Sequence, residues 1–279
     1  MKHPWAALIG HPIGHSLSPL IYRAFGFALD RQIHYRALDV RERKLAPTFK
    51  LARDHRWLGW NVTLPYKVRL MDFVDETDAS ARAAGALNLI RFHDGRATGY
   101  NTDIAGFLTP LAARGIELTG KSALILGAGG AARAAGAALT GSGVDDIVFL
   151  NRTPEKAAQL AAQFDGRAGA LVERVLNQEL PAADIVVQAT SLGLDGTANP
   201  LPYVMRFKKG ALAYDLVYRP QETPFLKTAA SGGATTVGGL EMLVAQAAAA
   251  WNIWFAETVP GGVTARIIQQ LERKLDEDT

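Results

Sequence analysis

Short apolar runs alternate along most of the chain with longer stretches in which apolar residues recur every three or four positions. This is the pattern of βα units stacked around a parallel sheet. In the first third it predicts strands over 6–9, 34–38 and 58–62, with helices over 19–29 and 44–54. A second series starts near Thr102 with a helix over 104–114, followed by strands over 122–126, 146–150, 184–188 and 211–214 and helical stretches between them. Segments 240–255 and 263–275 keep the helical period with no strand between, so a pair of terminal helices is expected to close back on the first domain. The fold class is therefore α/β, as two α/β domains, one of residues 1–102 plus 239–279 and the other of residues 103–238.

Composition agrees and narrows the function classes. A chain of 279 residues that is 48% hydrophobic and 20% charged is long enough for two ordinary cores. Its net charge of +3 is spread through mixed-sign surface rather than gathered in a stripe, which argues against nucleic acid as a partner. With no cysteine there is neither a disulfide framework nor a thiolate metal site, and the six dispersed histidines show no ligand spacing, so no metal is expected. No stretch reads as a signal segment or a membrane span, and a cytoplasmic enzyme is expected.

The strand over 122–126 runs into Gly127-Ala128-Gly129-Gly130-Ala131-Ala132 and then an alanine-rich helix. Glycine there permits a tight turn and close approach to a pyrophosphate, and the helix N-terminus offers free amides. The same glycines also suit any tight βα turn. The tip of the next strand reads Asn151-Arg152-Thr153-Pro154-Glu155-Lys156, with no carboxylate at the strand end to hold ribose hydroxyls. Arg152, Thr153 and Lys156 instead suit a 2′-phosphate, which favours NADP over NAD, although an arginine at a helix start is also an ordinary surface feature. Residues 103–238 thus read as an NADP-binding domain of Rossmann type.

In the first domain Ser16-Leu17-Ser18-Pro19 places two hydroxyls beside a helix N-terminus, where they suit either a substrate carboxylate or a plain helix cap. Asn61-Val62-Thr63-Leu64-Pro65-Tyr66-Lys67 and Gly99-Tyr100-Asn101-Thr102-Asp103 each close a strand with polar groups, where α/β sheets bind ligands. Hydride transfer between an alcohol and NADP needs a group that gives or takes the hydroxyl proton. Lys67 with Asp103 beside it fits that role, against the alternatives of a solvated lysine and a helix cap.

Taken in order, these motifs resemble the shikimate dehydrogenase family, from the first strand to the last helices. The resemblance implies a carboxylate held by Ser16 and Ser18, and a ring lined by Thr63, Lys67, Asn88 of the Gly85-Ala86-Leu87-Asn88 turn, and Asp103. It implies Lys67 and Asp103 as the catalytic pair, in a cleft between a substrate-binding and a cofactor-binding domain. It further implies that NADP contacts Gly127, Ala128, Gly129, Gly130, Ala131, Asn151, Arg152, Thr153, Lys156, Leu216 and Gly239. Asp215-Leu216-Val217-Tyr218 and Gly239-Leu240-Glu241-Met242-Leu243-Val244-Ala245-Gln246 are similar to segments that approach the nicotinamide and the substrate, which makes Tyr218 and Gln246 candidates. Read alone, these two equally suit a core aromatic and a polar helix residue. Two departures stand out: Gln188 precedes Ala189-Thr190-Ser191 where the family commonly has asparagine, and Leu89 follows Asn88 where threonine is usual. The expected reaction is reversible NADPH-dependent reduction of 3-dehydroshikimate to shikimate by a monomer or homodimer. Quinate or an aminated ring acid as substrate, and a non-catalytic NADP-binding regulator, are the alternatives.

Overall fold

A computed structural model describes residues 3–14, 16–201, 203 and 205–277. Two compact units emerge: the chain through Gly106 with Val244–Gln269, and Phe107–Leu243 with the chain from Gln270 on. The sequence pattern puts these divisions at 102/103 and 238/239. The units divide inside the helices that start at Asp103, Gly239 and Gly261.

In the first unit the elements run β1 (Trp5–Gly10), α1 (Ser18–Ala28), β2 (His34–Asp39), α2 (Glu42–Asp54), β3 (Gly59–Val62), β4 (Glu76–Thr77), α3 (Ala79–Ala84), β5 (Leu89–His93) and β6 (Arg96–Tyr100). Among the described residues they form a six-stranded sheet in the order β2-β1-β3-β5-β6-β4. This sheet is mixed, where the sequence pattern points to a parallel one. β1 lies parallel to β2 and β3, but β5 runs antiparallel to both β3 and β6. The cause is local: Asp94 and Gly95 join β5 to β6 with φ of 49° and 75°, the left-handed pair that a two-residue hairpin turn requires.

Strand alternation divides the core of this unit between the two faces of the sheet. Ala7 and Ile9 pack with Leu45, Phe49, Trp60 and Phe92, and Phe49, Trp60 and Phe92 meet edge to face. A second aromatic group joins Tyr22 and Phe25 of α1 to Trp251 and Trp254 near the C-terminal end of the chain. Trp254 donates its indole N–H to the Ile90 carbonyl at 3.2 Å. Gly59 allows this approach, since a Cβ there would fall 2.3 Å from Trp254 Nε1 and 2.0 Å from the Ile90 oxygen.

In the second unit α4 (Asp103–Ala113) leads to β7 (Ser122–Leu126), α5 (Gly130–Gly141), β8 (Asp146–Asn151), α6 (Pro154–Phe164), β9 (Arg167–Ala170), α7 (Glu173–Glu179), β10 (Ile185–Gln188), β11 (Leu212–Asp215), α8 (Pro224–Ser231) and β12 (Thr235–Val237). Helices α9 (Gly239–Phe255) and α10 (Gly261–Glu277) end the chain. The sheet is parallel throughout, in the order β12-β11-β10-β7-β8-β9. Counted from β7 this is the doubly wound order 3-2-1-4-5-6, whose crevice opens where the winding reverses, between β7 and β10. In the first unit the corresponding reversal lies between β1 and β3, at their carboxyl ends.

Candidate active site

The loops that follow β1 and β3 are tied together at that reversal. His11 N donates to the Leu64 carbonyl at 2.9 Å and Thr63 N to the Ile9 carbonyl at 2.9 Å. Gly10 has no room for a side chain, because a Cβ would fall 2.5 Å from the Thr63 methyl. Tyr66, buried beneath the second loop, donates its hydroxyl to the Val40 carbonyl at 2.5 Å, and the Lys67 carbonyl accepts from Leu87 N at 2.8 Å. The backbone on both sides of Lys67 is thereby fixed.

Lys67 Nζ donates to Asp103 Oδ2 at 2.5 Å, with the two side chains only 14% and 8% exposed. The other carboxylate oxygen accepts from Asn88 Nδ2 at 2.8 Å. Asn88 is held in turn, its Oδ1 accepting from Thr102 N at 2.7 Å and its Nδ2 lying 3.4 Å from Gln246 Oε1. Asn101 Oδ1 accepts from Asp103 N at 3.1 Å and seats the start of α4. Lys67, Asn88, Asp103 and Gln246 therefore form one hydrogen-bonded group, joined by Thr102 and Asn101, which motif reading does not select.

At the start of α1, Ser16 Oγ donates to Ser18 Oγ and accepts from Ser18 N, both at 3.2 Å. Leu17 occupies the cap position and no side chain caps this helix, so the plain-cap reading of Ser18 does not hold. Ser18 is the first helical residue and nearly buried. Asn61 on β3, 4% exposed, is a further polar residue that motif reading passes over; its Oδ1 accepts from the Tyr35 hydroxyl at 2.8 Å. Its Nδ2 is buried and makes no hydrogen bond among the described residues. Burial pushes the phenols of Tyr22 and Tyr35 far up, and nearby Asn61 and Ser18 offset part of this.

The second unit presents a cradle at its own reversal point. Gly127 has φ 119°, and a Cβ there would lie 2.9 Å from the Ala189 carbonyl carbon and oxygen, so only glycine fits this turn. Gly129 caps α5 with open space around it and no capping side chain, which leaves the first amides of α5, after Ala128, without a side-chain partner. Asn151 Nδ2 donates to the Thr153 carbonyl at 2.9 Å and shapes the turn on which Arg152, Thr153 and Lys156 stand exposed. These residues fit a phosphorylated dinucleotide: free helix amides for the pyrophosphate and unshielded cations for a 2′-phosphate.

Gln188 accepts from Thr190 N and Oγ1 at 2.8 and 2.9 Å and donates to the Leu192 carbonyl at 2.8 Å, closing the turn that packs on Gly127. The longer amide at this departure from the family pattern is thus fully used. Leu89, the other departure, is buried in β5 opposite Asn61.

Gly239 lies so close to Leu216 that a Cβ would fall 2.6 Å from the Leu216 oxygen, which unites these two candidates. Tyr218 belongs to the same unit and lines, with Gln221, Lys227, Gly239 and Glu241, a cavity of about 470 Å³. The loop that carries Leu216 and Tyr218 is closed at its base by Asp215, whose carboxylate accepts from Thr223 Oγ1 at 2.5 Å and Val217 N at 2.9 Å. Burial pushes the Asp215 carboxyl up to about 7, with those two hydrogen bonds opposing the rise.

A family model for the shikimate dehydrogenase substrate binding domain matches residues 8–90, and one for shikimate / quinate 5-dehydrogenase matches residues 110–194. The chain is 40% identical over 272 residues to the shikimate dehydrogenase (NADP(+)) of Moorella thermoacetica, covering 95% of this chain and 92% of that protein. Its fold is similar to that of the shikimate 5-dehydrogenase of Thermus thermophilus in complex with NADP(H) and shikimate, with TM-score 0.86, 36% identity and coverage of 96% and 99% of the two chains. The ligand-free 5-ketofructose reductase of Gluconobacter sp. strain CHM43 is similar at TM-score 0.83 and 31% identity, with coverage of 97% and 99%.

Proposed function

The chain belongs to the shikimate dehydrogenase family, and from that premise we propose that it reduces 3-dehydroshikimate to shikimate reversibly with NADPH, in the biosynthesis of aromatic amino acids. The observation that carries the chemistry is the nearly buried Lys67–Asp103 pair at 2.5 Å. An ammonium that gives one proton to a hydrogen bond with Asp103 keeps two more for a substrate oxygen. In the reducing direction the Lys67 Nζ proton passes to the ketone oxygen as that oxygen becomes a hydroxyl; in the oxidising direction Nζ takes the proton back. NADPH, when bound, supplies the hydride.

In this reading the residues of the first unit hold the ring acid. Ser16 and Ser18 donate to its carboxylate beside the α1 N-terminus, Asn61 donates through its unpartnered Nδ2, and Thr63, Asn88 and Gln246 line the hydroxyls. The second unit holds the dinucleotide through Gly127–Ala131, Asn151, Arg152, Thr153 and Lys156, with Leu216 and Gly239 toward the nicotinamide and Tyr218 as a substrate contact. Residues 1–102 with 239–279 then act as the substrate-binding domain and residues 103–238 as the NADP-binding domain. We take the enzyme to be cytoplasmic and a monomer or homodimer, the last of which sedimentation distinguishes.

The family description includes quinate, and a 5-ketofructose reductase shares the fold, so carbonyl choice is the point to test. NADPH oxidation is to be followed with 3-dehydroshikimate, the quinate-series ketone, an aminated analogue and 5-ketofructose. We expect kcat/KM for 3-dehydroshikimate to exceed the others by at least about 100-fold, the discrimination a site achieves against a ligand that differs by one added group. A higher value for another compound overturns the substrate assignment.

A further inference from the structure

Asn61 poses a problem that the shape of its side chain does not solve. A carboxamide turned by half a rotation keeps nearly the same outline but exchanges its donor and acceptor ends, so packing alone does not decide which end faces a ligand. One end meets the Tyr35 hydroxyl and the other, buried, makes no hydrogen bond among the described residues.

We propose that Tyr35 is a positioning residue, which by donating to Asn61 Oδ1 holds the carboxamide with its NH2 toward the bound ring acid. This rests on the ring-acid reading of the site given above.

The fold makes this reach possible. Tyr35 on β2 pairs with Ala6, and Asn61 on β3 pairs with Leu8, so the two side chains leave the same face of the sheet on either side of β1. Ala6 is small, and the Tyr35 ring crosses above β1. The ring is held by Tyr22, stacked at 4.2 Å and 18°, and by Trp254 at 6.4 Å.

The direction of the bond is that of a phenol to an amide oxygen: the Tyr35 hydroxyl donates to Asn61 Oδ1 at 2.8 Å. Burial keeps the Tyr35 phenol protonated, so its O–H remains a donor throughout the working pH range. A tyrosine that looks like core thus fixes the polarity of one substrate contact.

The test is a double-mutant cycle in steady-state NADPH oxidation, with the wild type, Tyr35→Phe, Asn61→Ala and the double variant. Tyr35→Phe is expected to raise KM for 3-dehydroshikimate by about 10-fold with kcat changed by no more than about 3-fold and NADPH affinity unchanged. The double variant should be no worse than Asn61→Ala alone. Asn61→Asp is the second arm: it still accepts from Tyr35 but puts an oxygen where the NH2 points, and KM should rise about 100-fold while the protein stays folded by circular dichroism. An unchanged KM in Tyr35→Phe, effects that multiply in the double variant, or an unchanged KM in Asn61→Asp each overturn the proposal. Failure of the wild type to reduce 3-dehydroshikimate overturns the substrate assignment instead, and the cycle is then run with the ring acid that the wild type does reduce.

Discussion

Asn88 holds the Asp103 carboxylate by the oxygen that Lys67 does not use: its Nδ2 donates to Oδ1 at 2.8 Å while Lys67 Nζ donates to Oδ2 at 2.5 Å. Because Asn88 Oδ1 accepts from the backbone N–H of Thr102, which cannot act as an acceptor, its amide has one orientation only. Asp103 is therefore fixed at both oxygens, and Lys67 is aimed by a carboxylate that cannot rotate.

Replacing Asn88 with alanine leaves one buried carboxylate oxygen without its donor and frees the Asp103 side chain to turn. We expect kcat to fall by about 10- to 100-fold, with a stability loss of about 1–3 kcal/mol and no change in NADPH affinity. Steady-state kinetics with urea unfolding checks this, and an unchanged kcat shows that Asp103 needs no second partner.

Arg152 stands exposed at the tip of β8 with Thr153 and Lys156. Arg152→Ala should weaken NADPH binding by about 10-fold or more and leave NADH binding nearly unchanged, since only the former carries the 2′-phosphate. Fluorescence titration with both cofactors measures the ratio. Equal losses would place the guanidinium elsewhere on the dinucleotide.

Asp215 gives stability a pH dependence of definite sign. Its folded-state carboxyl is raised to about 7, so the folded chain keeps a proton that the unfolded chain releases near the ordinary carboxylate range. Its contribution is most favourable below that range and declines as pH rises through about 7. The melting temperature of the wild type relative to Asp215→Asn should therefore fall between about pH 4 and pH 7 and level off above. A constant difference across that window contradicts the assignment of the shift to Asp215.

Much of this is legible in the residues, for physical reasons that differ from place to place. Gly127 announces a strand-to-helix turn because few other residues fit it, and the structure supplies both a positive φ and an Ala189 carbonyl at clash distance from any Cβ there. The β5–β6 hairpin is absent from the pattern although Asp94-Gly95 is a strong turn signal, because its two strands are short and are joined by two residues rather than by a helix. Ser18 reads as a cap, but the first turn of α1 begins one residue earlier than the motif suggests. Tyr35 carries no signal at all, since a tyrosine in a strand is read as core until the unpartnered Asn61 amide two strands away gives it a task.

The most direct test of the account is turnover of 3-dehydroshikimate by Lys67→Ala beside the wild type, with NADPH affinity and thermal unfolding measured on both. If Lys67 Nζ moves the proton, kcat falls by about 1000-fold or more while NADPH binds within about 2-fold of the wild type and the protein remains folded. Turnover within about 10-fold of the wild type would show that another group handles the proton, and the Lys67–Asp103 pair would be a structural ion pair.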